Sequence, residues 1–164
     1  MANKTNFTPE EWKLLLESPM MTSMAVTAAD PVGLWGMLKE SFASASELAK
    51  AASDPAANSL VKAVATDFTT SEGRSTARDD LKAKLAGSKI TDIKIKSIES
   101  LKQVSALLET KAPADAAAFK GWLRQISEHV AEAAEEGGFM GFGGVKVSEA
   151  EKATLSDISH ALGV

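Results

Sequence analysis

Residues 119–133, FKGWLRQISEHVAEA, carry the clearest structural signal in the chain. Their apolar members recur at steps of three and four residues: Phe119, Trp122, Ile126, Val130 and Ala133. This spacing places all of them on one face of an α-helix, whereas a half-buried strand would show strict alternation. The stretch therefore predicts a helix with one buried stripe.

The same spacing recurs earlier in the chain. Two further series show it, namely Trp35, Leu38, Phe42 and Ala45, and then Ala57, Leu60, Val64 and Phe68. In residues 88–109, Ile93 and Ile95 alternate with lysines as an exposed strand would, but the helical rhythm resumes from Ile98 onward. We interpret residues 88–109 as a helix, because the chain offers no partner strand.

Prolines and capping residues predict where helices begin. Thr8 can cap a helix that starts at Pro9, where the missing proline amide costs nothing. By the same rule, further helix starts are predicted at Ser18-Pro19, Asp30-Pro31, Asp54-Pro55 and Ala112-Pro113. For the last helix, Ser148 and Glu151 have the spacing of a capping box, and Gly163 suits a left-handed C-terminal cap.

Composition agrees with an ordinary globular domain. The 164 residues are 45% hydrophobic and 24% charged, and a chain of this length buries about two thirds of its unfolded surface. We predict an all-α fold, with residues 1–164 forming a single-domain multi-helix bundle of roughly seven or eight helices.

Charge and composition also limit the classes of molecule that the protein is expected to bind. The net charge of -4 argues against binding to nucleic acid or to an anionic membrane, and no apolar run approaches the length of a membrane-spanning helix. Residues 71–103 are locally basic but lack interleaved aromatic residues, which favours a solvated helix face. The absence of cysteine excludes disulfides and is compatible with a reducing compartment. We expect a cytoplasmic protein, and the N-terminus is a poor secretory signal.

Catalytic and metal motifs are weak. The chain has two histidines, His129 and His160, and neither stands in the Glu-x-x-His arrangement of di-metal helical bundles. No nucleophile-elbow pattern is present, and the glycines near the C-terminus match neither nucleotide-binding fingerprint. We therefore predict no catalytic residue and no cofactor.

One loop has more glycine and aromatic residues than a turn requires. In EEGGFMGFGGVKVSEAE, residues 135–151, Gly137 can end one helix and Gly143-Gly144 can form the return to the next. The remaining apolar residues are Phe139, Met140 and Phe142. They either close the core as a plug, which is the commoner arrangement, or project as an anchor for a partner.

Two resemblances add to this interpretation. The stretches FTPEEWKLLLESPMMTSMAVTAADPVGLWGMLKE (7–40) and EGGFMGFGGVKVSEAEKATLSDISHALG (136–163) resemble the two ends of a set of small helical bacterial proteins with no assigned activity. More weakly, MAVTAAD (24–30) and GGVKVSEAEKATLSDISHALG (143–163) are similar to the turn-and-helix units of TerB-like tellurite-resistance proteins. The TerB resemblance implies acidic metal ligands near such turns, and the positions that carry over are Asp30 and Glu151. Pro31 stands where that family has glycine, and the second turn lacks the aspartate.

Three functions follow as expectations. The first is a non-enzymatic protein that acts by protein association, including self-association as a dimer, with Phe139, Met140 and Phe142 as the contact. The second is binding of a metal or small ligand through Asp30 and Glu151. The third is an enzyme whose catalytic groups leave no linear motif.

Overall fold

The computed structural model describes residues 2–29, 45–135 and 147–164. The described residues form seven helices: α1 (Pro9–Thr27), α2 (residues 45–53), α3 (Ser59–Thr69), α4 (Ser71–Leu85), α5 (Ile90–Lys111), α6 (Pro113–Glu135) and α7 (Glu149–Leu162), after a short 3-10 turn at Lys4–Asn6. These ranges contain no strand. The prediction of an all-α multi-helix bundle is confirmed.

The core is built around α1, which packs against α4, α5 and α6, while α7 packs against α5 and α6. One cluster of buried apolar residues takes members from all seven helices. The stripe predicted in α6 is at its centre, since Phe119, Ile126 and Val130 have no exposed surface. Residues 88–109 fall almost wholly within α5, which confirms their interpretation as a helix.

Several local signals act as predicted. Thr8 Oγ1 accepts the backbone N–H of Glu11 at 3.2 Å, Glu11 Oε2 accepts the N–H of Thr8 at 2.8 Å, and Pro9 is the first helical residue. Pro113 begins α6. At the end of α7, Gly163 adopts the left-handed conformation with φ of 73°, a conformation that glycine enters without steric cost.

The helix start predicted at Ser18-Pro19 is wrong, because α1 continues through Pro19 to Thr27. A proline inside a helix removes the hydrogen bond to the carbonyl four residues earlier, which here belongs to Leu15. The Ser18 hydroxyl donates to that Leu15 carbonyl oxygen at 2.7 Å instead. Serine before this proline thus supports the helix interior rather than its start.

The start predicted at Asp54-Pro55 is also wrong. Asp54 follows the end of α2, and its Oδ1 accepts the N–H of Ala56 at 2.8 Å, which makes a tight turn. The next helix begins at Ser59, and its cap is Asn58, whose Oδ1 accepts the N–H of Leu60 at 3.0 Å. Aspartate and asparagine both form such turns and helix caps. The sequence pattern alone therefore did not show that Asp54 forms a turn and that Asn58 is the cap.

The predicted start at Asp30-Pro31 and the predicted stripe of Trp35, Leu38 and Phe42 lie outside the described residues. No helix in the described ranges is long and apolar enough to cross a membrane.

Candidate functional site

The predicted partner contact, Phe139, Met140 and Phe142, lies outside the described residues, as does the predicted metal ligand Asp30. These assignments stay predictions. Of the five predicted site residues, the structure describes Glu151.

Glu151 is the third residue of α7 and is buried. Its Oε2 accepts the backbone N–H of Ser148 at 2.8 Å, and its own N–H donates to Ser148 Oγ at 3.2 Å. This is the capping box that the sequence predicted. One carboxylate oxygen therefore already serves the start of α7, and a metal role for Glu151 stays a prediction.

Within the described ranges, no group of three or more histidine and acidic side chains could hold a metal ion. His129 Nδ1 lies 3.0 Å from Glu47 Oε1, so the partner of this histidine comes from α2. His160 is exposed in the last turn of α7.

An apolar groove of about 600 Å³ runs along α5, bounded by the end of α1 and the first turns of α7. We call it the α5 groove. Its apolar surface comes from two isoleucines and four alanines: Ile95, Ile98, Ala28, Ala29, Ala150 and Ala153. Short side chains on its walls leave room for another element to approach closely.

Ile95 is 58% exposed in this groove, and Ile90 at the start of α5 is 52% exposed. An exposed isoleucine is ordinary by itself, but Ile95 lines a groove together with Ile98 and four alanines. The sequence feature that corresponds to this exposed isoleucine is the alternation of Ile93 and Ile95 with lysines. Two isoleucines two positions apart cannot share one helical stripe, so one of them had to point away from the core.

Charged side chains border the α5 groove. Lys94 Nζ and Asp157 Oδ2 pair across α5 and α7 at 2.9 Å. Glu99 and Lys102, three positions apart on α5, also line the groove, and neither has an ionic partner among the described residues. The groove thus carries one acidic and one basic group that are free to pair with another molecule.

A second cluster centres on the buried Glu17 of α1 and reaches the surface through Lys84 and Asp80. Glu17 has no exposed surface. Its Oε1 accepts hydrogen bonds from Ser100 Oγ, at 3.0 Å, and from Lys84 Nζ, which also lies 3.2 Å from Asp80 Oδ2. Glu17 Oε2 is buried and no N–H or O–H group donates to it, but when protonated Glu17 can itself donate to Asp80. The cluster joins α1, α4 and α5.

Burial raises the pKa of Glu17 to about 7; the nearby Asp80 also raises it, while Lys84 opposes the shift. For Asp80, burial raises the pKa, but hydrogen bonding with Glu17 and the charge of Lys84 outweigh it, so the pKa of Asp80 is lowered. The shared proton therefore resides on Glu17 below neutral pH. Because Glu17 is sealed from solvent, we assign this cluster to stability and not to catalysis.

In comparisons with known proteins, no family model, no curated protein and no solved structure matches the chain.

Proposed function

We propose that the protein is a non-enzymatic helical protein that acts by association, and that the α5 groove binds a second copy of the chain. The observation that carries this proposal is the 58% exposure of Ile95 within the α5 groove, beside Ile98 and the alanines. Covering apolar surface stabilises an association by roughly 25 cal/mol per Å² of area buried.

The charges favour a second copy as the partner. In a dimer with a two-fold axis each contact is made twice. If one residue contacts a second residue on the other copy, the second residue of the first copy contacts the first residue of the other. If two α5 helices pack antiparallel about an axis between Glu99 and Lys102, each Glu99 faces the Lys102 of the other copy. Two ion pairs between Glu99 and Lys102 then form across the interface, and the short alanine side chains permit the two helices to pack closely.

The experiment measures the oligomeric state by sedimentation velocity over a range of protein concentrations. We expect a concentration-dependent dimer for the wild type and a monomer for Ile95→Glu, because the new carboxylate would be buried in the interface. Val164→Glu is the matched control, since Val164 is 45% exposed at the C-terminus. This control should still dimerise, and circular dichroism should show equal helicity for all three proteins.

A wild type that is monomeric at every concentration contradicts the proposal. A dimer that persists in Ile95→Glu contradicts the groove as its contact. Phe139, Met140 and Phe142 remain a separate proposed contact, tested by replacing Phe139 and Phe142 with serine.

A cytoplasmic location in a bacterium belongs to the same proposal. It is supported by the absence of cysteine and by the resemblance of the two ends of the chain to small helical bacterial proteins.

A further inference from the structure

Helix α4 has little apolar anchoring in the bundle. It buries three of its 15 residues, Gly73, Ala77 and Leu81, whereas α1 buries ten of 19. Two of the three buried residues of α4 have a small side chain or none, so apolar burial contributes little to holding this helix in place. Elements with few buried apolar contacts are the ones that open locally while the rest of a protein stays folded.

Polar contacts hold the C-terminal half of α4 instead. The Lys84 ammonium group donates to the buried Glu17 of α1, and it also lies 3.2 Å from Asp80 Oδ2. From α5, Lys96 Nζ donates to the Lys84 carbonyl oxygen at 2.8 Å and to Ser88 Oγ at 2.9 Å. The attachment of α4 to α1 therefore depends on the charges around Glu17.

Most of the charge that faces Glu17 belongs to α4. Asp80 and Lys84 are both α4 residues, while α5 contributes the neutral Ser100 hydroxyl. On α1, Lys13 stands one turn before Glu17 and acts on Asp80, but it is exposed, so solvent screens its charge. No described residue of α6 or α7 forms an ion pair or hydrogen bond with Glu17. Moving α4 away would thus remove both charged neighbours and let water reach the carboxyl group.

The charge balance of this cluster depends on one proton. When Glu17 is protonated, the negative charge of Asp80 is balanced by Lys84, and the Glu17 hydroxyl can donate to Asp80. When Glu17 is ionised, two carboxylates share one ammonium group, and the Glu17 carboxylate has no exposed surface. A buried charge without full compensation is strongly unfavourable. Hydration of Glu17 relieves this penalty, and α4 is the helix that stands between Glu17 and water on that side.

We propose that α4 opens away from α1 and α5 when Glu17 loses its proton, while the rest of the bundle stays folded. The chain has a flexible point on each side of α4. Thr70 joins α3 to α4 with extended backbone, and Gly87, between α4 and α5, has φ of 69°. Glu17 and its polar neighbours do not line the α5 groove, so the opening is independent of dimerisation.

The direction of the pH effect follows from proton binding. With α4 closed, burial raises the pKa of Glu17 to about 7, and exposure to water returns it towards the ordinary value of 4.5. Between these values the closed state binds more protons than the open state. The fraction of molecules with α4 open therefore rises with pH across this range, by roughly a hundredfold in total, and levels off above it.

Hydrogen–deuterium exchange of the full chain, read by mass spectrometry, measures this opening. Peptides that cover residues 74–85 are compared in the wild type and in Glu17→Gln at matched pH, because their intrinsic exchange rates are then equal. We expect the ratio of wild-type to variant rates to rise from about one to roughly a hundred between pH 4.5 and about 7. Glu72→Gln, an exposed carboxylate on α4 itself, is the matched control and should follow the wild type.

Two further measurements do not depend on Glu17→Gln. Lys84→Gln removes the ammonium group that opposes the shift, so Glu17 should keep its proton to higher pH, and the rise in α4 exchange should level off at a higher pH than in the wild type. Low concentrations of urea distinguish local from global opening. Exchange in α4 should respond weakly to urea, whereas exchange in the core helix α6 should respond steeply, because global unfolding exposes much more surface.

Three results would overturn the proposal. If α4 exchanges no faster than α6 at any pH, the protein unfolds as a whole and α4 does not open by itself. A rate ratio that stays constant with pH would show that Glu17 does not control the opening. An identical pH profile in Lys84→Gln and the wild type would show that the charges around Glu17 do not set it.

Discussion

Glu17 of α1 and Ser100 of α5 are hydrogen-bonded at 3.0 Å in the interior of the bundle, where Glu17 has no exposed surface. An ionisable carboxyl group in such a place disfavours its own charged form. Lys84 from α4 offsets part of this cost, but the pKa of Glu17 still rises to about 7. The protein therefore holds a proton in its interior across mildly acidic pH.

The first prediction concerns this proton. In the unfolded chain Glu17 loses its proton near pH 4.5, whereas in the folded protein it does so near pH 7. Between these values the folded state binds more protons, so the free energy of unfolding falls as pH rises, by up to about 3 kcal/mol. Glu17→Gln mimics the protonated form and should remove this slope. The check is urea unfolding of both proteins from pH 4.5 to above pH 7.

The variant should match the wild type at the acidic end of this range and exceed it in stability at the neutral end. The pKa values of Asp80 and Asp115 are lowered from 3.8, so the protonation of these two groups changes the stability only at lower pH. We therefore attribute the pH dependence between pH 4.5 and about 7 to Glu17. Parallel stability curves for the two proteins would contradict the assignment.

The second prediction concerns Pro19 inside α1. Ser18→Ala should destabilise the protein by about 1–2 kcal/mol, because the Leu15 carbonyl then loses the hydroxyl that replaces the missing proline amide. In a Pro19→Ala background the restored amide can bond to that carbonyl, and Ser18→Ala should cost much less. A double-mutant cycle by thermal unfolding measures the difference. Equal costs in both backgrounds would show that the hydroxyl does not compensate for the proline.

The third prediction compares two glycines in helices. A Cβ at Gly73 would lie 2.7 Å from the carbonyl carbon of Asp67 and closer still to its oxygen, because α4 begins two residues after the end of α3 and packs against it. Gly73→Ala should therefore destabilise the protein by roughly 1–3 kcal/mol. Gly121→Ala, where the space is open, should stabilise it by roughly 0.5–1 kcal/mol through helix propensity. Urea midpoints that shift in the same direction for both variants would contradict this reasoning.

The fourth prediction follows from the proposed dimer. Glu99→Lys or Lys102→Glu alone would place like charges together at both ends of the two-fold contact and should raise the dimer dissociation constant about tenfold or more. The double variant restores opposite charges and should dimerise close to the wild type. Sedimentation equilibrium of the four proteins provides the check. A double variant as weak as the singles would exclude this pairing.

Much of the fold was predictable because its determinants are local. The stripe from Phe119 to Val130 and the capping box of Ser148 and Glu151 depend on residues that lie within a few turns of one another. The helix over residues 88–109 was also correctly predicted, although the alternation of Ile93 and Ile95 with lysines resembled a strand. The two wrong helix starts came from patterns with two local solutions, a cap or a turn for Asp54, and a cap or an internal hydroxyl bond for Ser18.

The candidate sites were much less predictable. Glu47 and His129 meet although they belong to α2 and α6, and Glu17 meets Lys84 and Ser100 from two other helices. None of these pairs has a spacing that a helical period could reveal. The predicted contact of Phe139, Met140 and Phe142 rested on composition alone, and the α5 groove was not foreseen.

The sequence by itself determined the helical class of this protein, the positions of several helices, the cap that begins α1 and the caps at both ends of α7, because periodicity and capping act over a few residues of chain. Only the tertiary structure decided which carboxyl group is buried with a proton, which isoleucine stays exposed and which helices border the α5 groove. Those properties depend on how helices distant in sequence pack together, and the packing sets the burial and the charge around each side chain.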